Sequence, residues 1–435
     1  MAEADLLTRL AGVEPFPAEG RICAIGAGYI EALGPDLPMG THCRLVSSRT
    51  GQIVADARIV GLRDDRARLV PFGPLTSLRV GDVVRGADRQ AGAAVGAGYA
   101  GRAVDALGRP IDGAGGIDRS AAASATPLVM DRVAPHRPFP TGIRAIDGLL
   151  TLGFGARMGV FSASGVGKTR LVEQILRQAQ CDRIIVCLVG ERGREVEALW
   201  RQIKASRRRA HTSLVAATSD ESAVMRVQAV EQALSLAEFW RDQGENVLLL
   251  LDSATRLAMA MREIGLVAGE PPTVRAYTPG VFQELPRIVE RCGAVRQGGS
   301  ITAIFTVLSE NDEVDDPIVE VMKSLLDGHI VLSRRLAQMG HFPAIDIARS
   351  ISRLFDGLAD GPQRVAAAHC RAMIARHDEA RILIESGMYR SGGDRDLDAA
   401  INAQPRINAF LRQDDNAESW SGMTAQLIEL GKAGA

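Results

Sequence analysis

The residues best suited to chemistry sit in one short stretch, Gly159 to Thr169, which reads GVFSASGVGKT. An apolar segment ends at Ser162, a glycine-containing turn follows, and a helical pattern opens at Arg170-Leu171-Val172. Backbone N–H groups of such a turn and of the helix start lack intrahelical partners and lie at the positive dipole end, so they surround phosphate oxygens. Ser164, Gly165, Val166, Gly167, Lys168 and Thr169 are the expected cradle. In it, Lys168 reaches the β- and γ-phosphates and the Thr169 hydroxyl ligates Mg2+. The fingerprint G-x-x-x-x-G-K-[ST] departs at its first position, where Ser162 stands in place of glycine. On this stretch alone, a plain strand–helix turn with a surface lysine is the alternative.

Two acidic positions extend the pattern. Asp252 closes the apolar run Val247 to Leu251, and Glu191 follows the run Arg183 to Val189. Parallel sheets bind ligands outside the carboxyl ends of their strands, where both residues would stand. Asp252 has the form of a carboxylate holding Mg2+, directly or through water, with a strand-end cap as the plainer reading. Glu191 can orient and polarise a water attacking the γ-phosphate; if its strand adjoins the loop's strand, the two loops lie about one strand spacing, ~5 Å, apart. Arg192 and Arg194 are phosphate-ligand candidates, against a surface ion-pair cluster with Glu195 and Glu197.

These residues need a doubly covered parallel sheet to position them. Leu171 to Gln178, Ser222 to Trp240 and Pro286 to Cys292 read as helices, the last with its proline in the first turn. Between and after them lie nearly continuous apolar runs at Arg183 to Val189, Val247 to Leu251 and Ile301 to Leu308. Continuous runs separated by helices imply parallel strands buried on both faces. Upstream, Arg21 to Gly86 shows short alternating runs broken by turn residues, which predicts a small antiparallel sandwich or barrel. Ala2 to Glu14 has helical spacing, Ala87 to Gly98 is a small-residue linker, and Thr141 to Leu149 reads as a capped short helix. Beyond Phe355 only helices are expected: Val365 to Ile384, Asp396 to Ala403 and Glu418 to Leu430. The expected division is residues 1–88, 89–356 and 357–435.

Composition narrows the partners. The 435 residues carry a formal charge of −1, so no global attraction to nucleic acid or anionic lipid is expected. Arg207-Arg208-Arg209 reads as a solvated helix end. A stacking platform for single-stranded nucleic acid needs aromatics with basic neighbours, and the barrel region offers only Tyr29 and Phe72. Six scattered cysteines without metal-ligand spacing suit reduced thiols in the cytoplasm, and neither a signal peptide nor a membrane span is expected.

The phosphate loop, Gly190 to Val196, Asp252-Ser253-Ala254-Thr255-Arg256 and Leu326 to Arg334 together closely resemble the type III secretion and flagellar export ATPases, relatives of the F-type ATP synthase α and β subunits. Thr141 to Leu149, Phe342 to Ile347 and Ser350-Ile351-Ser352-Arg353 match as well, and the resemblance spans nearly the whole chain. It implies an α/β fold: a RecA-like P-loop core, preceded by a β-barrel and followed by a helical domain. It also implies ATP hydrolysis with Mg2+ at the interfaces of a homohexamer, powering protein export, with the flagellar system favoured over the injectisome. Carried over by position, Lys168, Glu191 and Arg192 are catalytic, Thr169 and Asp252 hold the metal, and Arg353 is an arginine finger reaching the next subunit. Implied partners are regulator and central stalk proteins, export substrates with their chaperones, and a membrane export gate met peripherally, with no nucleic acid. Gly265 to Pro272 resembles a loop facing the central channel, and Gly387-Met388-Tyr389 a surface meeting stalk or substrates; in both, a plain structural loop stays open. A Rho-like RNA translocase is the reading from another class.

Overall fold

The computed structural model describes residues 19–75, 77–87, 93–118, 127–308 and 316–432. The expected helix at Ala2 to Glu14 lies outside them.

Six strands, β1 (Glu19–Gly26), β2 (Tyr29–Leu33), β3 (His42–Val46), β4 (Ile53–Arg63), β5 (Arg66–Pro71) and β6 (Val83–Gly86), close into a barrel in the order β1-β2-β5-β4-β3-β6. Of the two expected all-β forms, the barrel is the one built. Its interior is small and aliphatic, with Ile22, Ile30, Leu45, Ile59, Leu69 and Val84 all buried. Inward positions alternate with outward ones, as the period of two dictates. The outer face meets the rest of the chain through Val60 and Val70, which pack on Val224, with Phe72 and Ile264 beside them. Arg68 donates to the Val267 carbonyl at 3.1 Å. Phe72 is thereby spent on packing, which removes one of the two aromatics a base-stacking surface would have needed.

Ten strands form the central sheet: β7 (Ala103–Asp105), β8 (Arg132–Val133), β9 (Arg157–Ser162), β10 (Arg183–Glu191), β11 (Thr212–Thr218), β12 (Asn246–Asp252), β13 (Gly293–Val295), β14 (Ser300–Leu308), β15 (Gly328–Leu332) and β16 (Ile345–Ser352). The main path runs β16-β15-β9-β14-β12-β10-β11-β7. All its pairings are parallel except β15 with β16; β13 pairs antiparallel with β14 and with β8.

The continuous apolar runs are explained by burial on both faces. Along β10, Ile184, Val186 and Leu188 enter one core while Ile185, Cys187 and Val189 enter the other. The first core is closed by the helices Lys168–Gln178 and Gly193–Ala205 and by C-terminal residues such as Ile407, Phe410 and Leu427. Ala223–Asp242, Ala254–Ala268 and Pro279–Glu290 cover the second.

Two local expectations change. The helix read from Pro286 starts at Pro279, which takes the first-turn position, and Pro286 lies inside it. The short helix Arg144–Leu149 has no side-chain cap at Ile143. Instead, the buried Asp147 carboxylate accepts from the Thr141 and Gly142 N–H groups, both at 2.9 Å, and from the Thr141 hydroxyl at 2.6 Å. From Phe355 on, the described residues form helices and their connections: Phe355–Leu358, Gly361–Glu379, Arg381–Glu385, Arg395–Leu411 and Trp420–Lys432. Among the described residues, no helix is long and apolar enough to cross a membrane. All six cysteines are free thiols.

Candidate active site

The phosphate loop joins β9 to the helix Lys168–Gln178. Gly165 and Gly167 take the left-handed backbone, with φ of 79° and 94°, a region costly for residues bearing a Cβ. A Cβ on Gly167 would also stand 3.1 Å from the Phe342 ring. Gly167 is the helix N-cap and supplies no side-chain acceptor, which leaves the first-turn N–H groups to an external anion. Val166 is buried in the core and anchors the turn, while Ser164, Gly165 and Thr169 face solvent.

Asp252 closes β12 and is the direct partner of Lys168, with Nζ to Oδ1 at 2.5 Å. The Thr306 hydroxyl, buried in β14, donates to the same oxygen at 2.6 Å. Both ion-pair side chains are nearly enclosed, at 13% and 11% exposure, so water screens their attraction little.

Glu191 is not one strand away from the loop. β14 and β12 lie between β9 and β10, a separation of about three strand spacings, ~14 Å. It approaches the cluster for another reason: Leu188 pairs with Asp252, so β10 runs three residues past the end of β12. Arg256, in the first turn of Ala254–Ala268, donates to the Gly190 carbonyl and lies 3.3 Å from the Glu191 carboxylate. Burial, a hydrogen bond with Glu195 and the charge of Asp252 push the Glu191 carboxyl above its ordinary value, against the pull of Arg256 and Lys168. A carboxylate raised in this way is a better proton acceptor than a solvated one.

Arg192 holds the N-cap position of the helix Gly193–Ala205 without a side-chain capping bond, and is exposed beside Glu191. Arg353 is far from all of these. Ser352 pairs with Gly328, and Gly328 with Met158, so Arg353 follows the sheet end at which β9 begins. It is separated from its own loop by roughly 15–20 Å of strand. Its guanidinium donates to the Lys323 carbonyl at 3.1 Å.

Thr306, Arg256 and Phe342 complete the site without having been given roles from sequence. The visible signal for Thr306 is a hydroxyl near the end of an otherwise apolar run. Arg256 and Phe342 lie inside stretches that carry the family resemblance. Beyond its approach to Gly167, the Phe342 ring has the Arg170 guanidinium 5.2 Å from its centre.

The oxygen donors present suit a hard dication. The Thr169 hydroxyl is open at the helix start, and Asp252 offers a carboxylate. Among the described residues, no group of three His, Cys, Asp or Glu side chains gathers as a metal cage. A Mg2+ ion that keeps water and takes phosphate oxygens needs none.

Fold and loop together define a P-loop nucleoside triphosphatase with a RecA-like core. Residues 142–352 match the nucleotide-binding domain of the ATP synthase alpha/beta family, and residues 359–429 match the T3SS EscN ATPase C-terminal domain. The type 3 secretion system ATPase of Xanthomonas euvesicatoria is 40% identical over 98% of this chain and 97% of its own length. The flagellum-specific ATP synthase of Bacillus subtilis is 37% identical over 95% of both. Among solved structures, the assembled ATPase EscN from the type III secretion system of enteropathogenic E. coli superposes with a TM-score of 0.88 at 37% identity, covering 95% of this chain and all of that one. The chain belongs to the family of type 3 secretion system ATPases and flagellum-specific ATP synthases, and it is an ATPase.

Proposed function

We propose that the protein hydrolyses Mg-ATP at the interfaces of a homohexameric ring and thereby energises protein export through a type III apparatus, in the first instance the flagellar one. The observation that carries this reading is the convergence of Lys168, Asp252 and Glu191 at one end of the sheet. In it, the Ser164–Thr169 backbone and Lys168 bind the triphosphate. Thr169 and Asp252 would hold Mg2+, which neutralises phosphate charge. Glu191 accepts a proton from the attacking water, and Arg192 orients the γ-phosphate from the same loop. Arg353 belongs to the neighbouring copy's site, where a guanidinium stabilises charge developing in the transition state.

The working units are residues 1–88 as N-terminal segment and barrel, 89–356 as the catalytic core and 357–435 as the helical domain. We infer a cytoplasmic enzyme, peripherally held at an inner-membrane export gate, with regulator, stalk, chaperone and substrate partners. A solved complex of EscN with its central stalk EscO, at a TM-score of 0.85 and 36% identity, supports the stalk contact. The injectisome is the second reading, supported by relatives such as the SPI-2 type 3 secretion system ATPase of Salmonella typhimurium at 42% identity, while flagellum-specific relatives reach 40%. Deleting the gene discriminates: loss of swimming supports the flagellar role, and loss of effector release with swimming intact supports the injectisome.

The reaction is tested with Glu191→Gln. Nucleotide binding is expected to persist while turnover falls by roughly 10²–10⁴, the usual worth of a positioned general base. Turnover that ignores this change, or that needs RNA, contradicts the reading.

A further inference from the structure

Ser162 occupies the loop's first fingerprint position, and its hydroxyl has no hydrogen-bond partner although the residue is only 3% exposed. It is the last residue of β9, paired in register with Leu308. Strand alternation places its side chain on the face of Met158 and Val160, whose core also contains Val166, Leu171 and Val172 of the loop and its helix. The hydroxyl therefore lies on the side of the strand that the loop covers.

A buried hydroxyl left unpaired is destabilising, and native structures rarely keep one without a use. The planar trans peptide supplies the use. Its N–H and C=O point in opposite directions, so a loop peptide whose N–H turns toward a phosphate presents its carbonyl backward, toward the strand. We propose that Ser162 is a positioning residue of the nucleotide-bound loop: its Oγ–H donates to a carbonyl of the Ala163–Gly167 turn once phosphate has fixed the loop's N–H groups. Ser162 then favours the bound loop over the empty one, a conformational preference that an alanine or glycine at this position lacks.

This inference rests on nucleotide binding at the loop. Its test is ATP binding by calorimetry and thermal unfolding without nucleotide, on the full chain, for wild type, Ser162→Ala and Lys168→Ala. Loss of one hydrogen bond made only in the bound state weakens ATP binding by Ser162→Ala roughly five- to tenfold. The empty protein is expected to unfold at the same or a higher temperature, because an unpaired buried hydroxyl has been removed. A hydroxyl with a purely structural role would leave the affinity alone. Equal ATP affinity in wild type and Ser162→Ala overturns the proposal while Lys168→Ala still reports the site. Absence of binding by wild type overturns the functional reading with it. If Ser162→Ala does not fold, Ser162→Gly is measured instead, and the same loss of affinity is required.

Discussion

At the carboxyl end of the parallel strands, Lys168 and Asp252 are paired at 2.5 Å, nearly enclosed, with Glu191 buried beside them. At the opposite end Arg353 stands exposed, giving its guanidinium to one backbone carbonyl. Among the described residues no carboxylate lies within ion-pair distance of it. The first set of charges is balanced within the chain, and substrate phosphates would have to reorganise that balance. The second is a cation with no ion-pair partner among the described residues, held after β16 roughly 15–20 Å of strand away from its own loop. A single fold thus keeps two parts of the proposed reaction at opposite ends of one sheet, so under the proposal turnover belongs to assembled copies.

The contrast is broken most severely by removing either end. Arg353→Ala should lower steady-state turnover by roughly 10³–10⁵ while ATP binding to the isolated chain stays near wild type. Lys168→Ala should remove both binding and turnover. Equal effects of the two changes on binding would mean that Arg353 serves its own loop.

A smaller effect sharpens the account of the buried end. As the proposed base, Glu191 must be ionised to accept a proton, and its carboxyl is raised, so turnover should be lost as pH falls through a value above the ordinary 4.5. Arg256 pulls that value down. Arg256→Met should therefore move the acid limb of the pH–rate profile to higher pH, and an unmoved limb would assign it to another group.

The smallest effect concerns His341, adjacent to Phe342. It is buried, and desolvation together with Arg412 and Arg335 lowers its pKa from 6.5 to about 4. Between those values the unfolded chain binds a proton that the folded chain does not. Its contribution is thus present above pH 6.5 and is lost as pH falls toward 4. His341→Gln should flatten the stability decline between pH 7 and pH 5 by about 1–2 kcal/mol in urea unfolding. Parallel declines in both proteins would assign the loss to carboxylates.

The balanced end was largely legible in the sequence, because its signals are local. A glycine turn before Lys168-Thr169 and apolar runs ending at Glu191 and Asp252 are written in consecutive residues. Strand order is not local. Nothing in the run of β10 says that β12 and β14 intervene before β9, so the condition on which Glu191 would lie one spacing from the loop is not met. Thr306 was missed for the same reason, since its partner lies on another strand. Pro286 has the sequence signal of a helix opener because proline favours the first turn, whereas Pro279 already holds that position. The role proposed for Arg353 rests on family resemblance alone: an exposed arginine after a strand carries no signature of its own in the sequence.

The central claim, that one copy's site is completed by the next copy's Arg353, is tested most directly by mixing two inactive variants. Arg353→Ala keeps a sound nucleotide site and lacks the finger; Lys168→Ala lacks the site and keeps the finger. Co-assembled, an Arg353→Ala site beside a Lys168→Ala neighbour has every group it needs, so ATP turnover should reappear in the mixture and not in either protein alone. A mixture as inactive as its components, under conditions where rings form, would contradict the account.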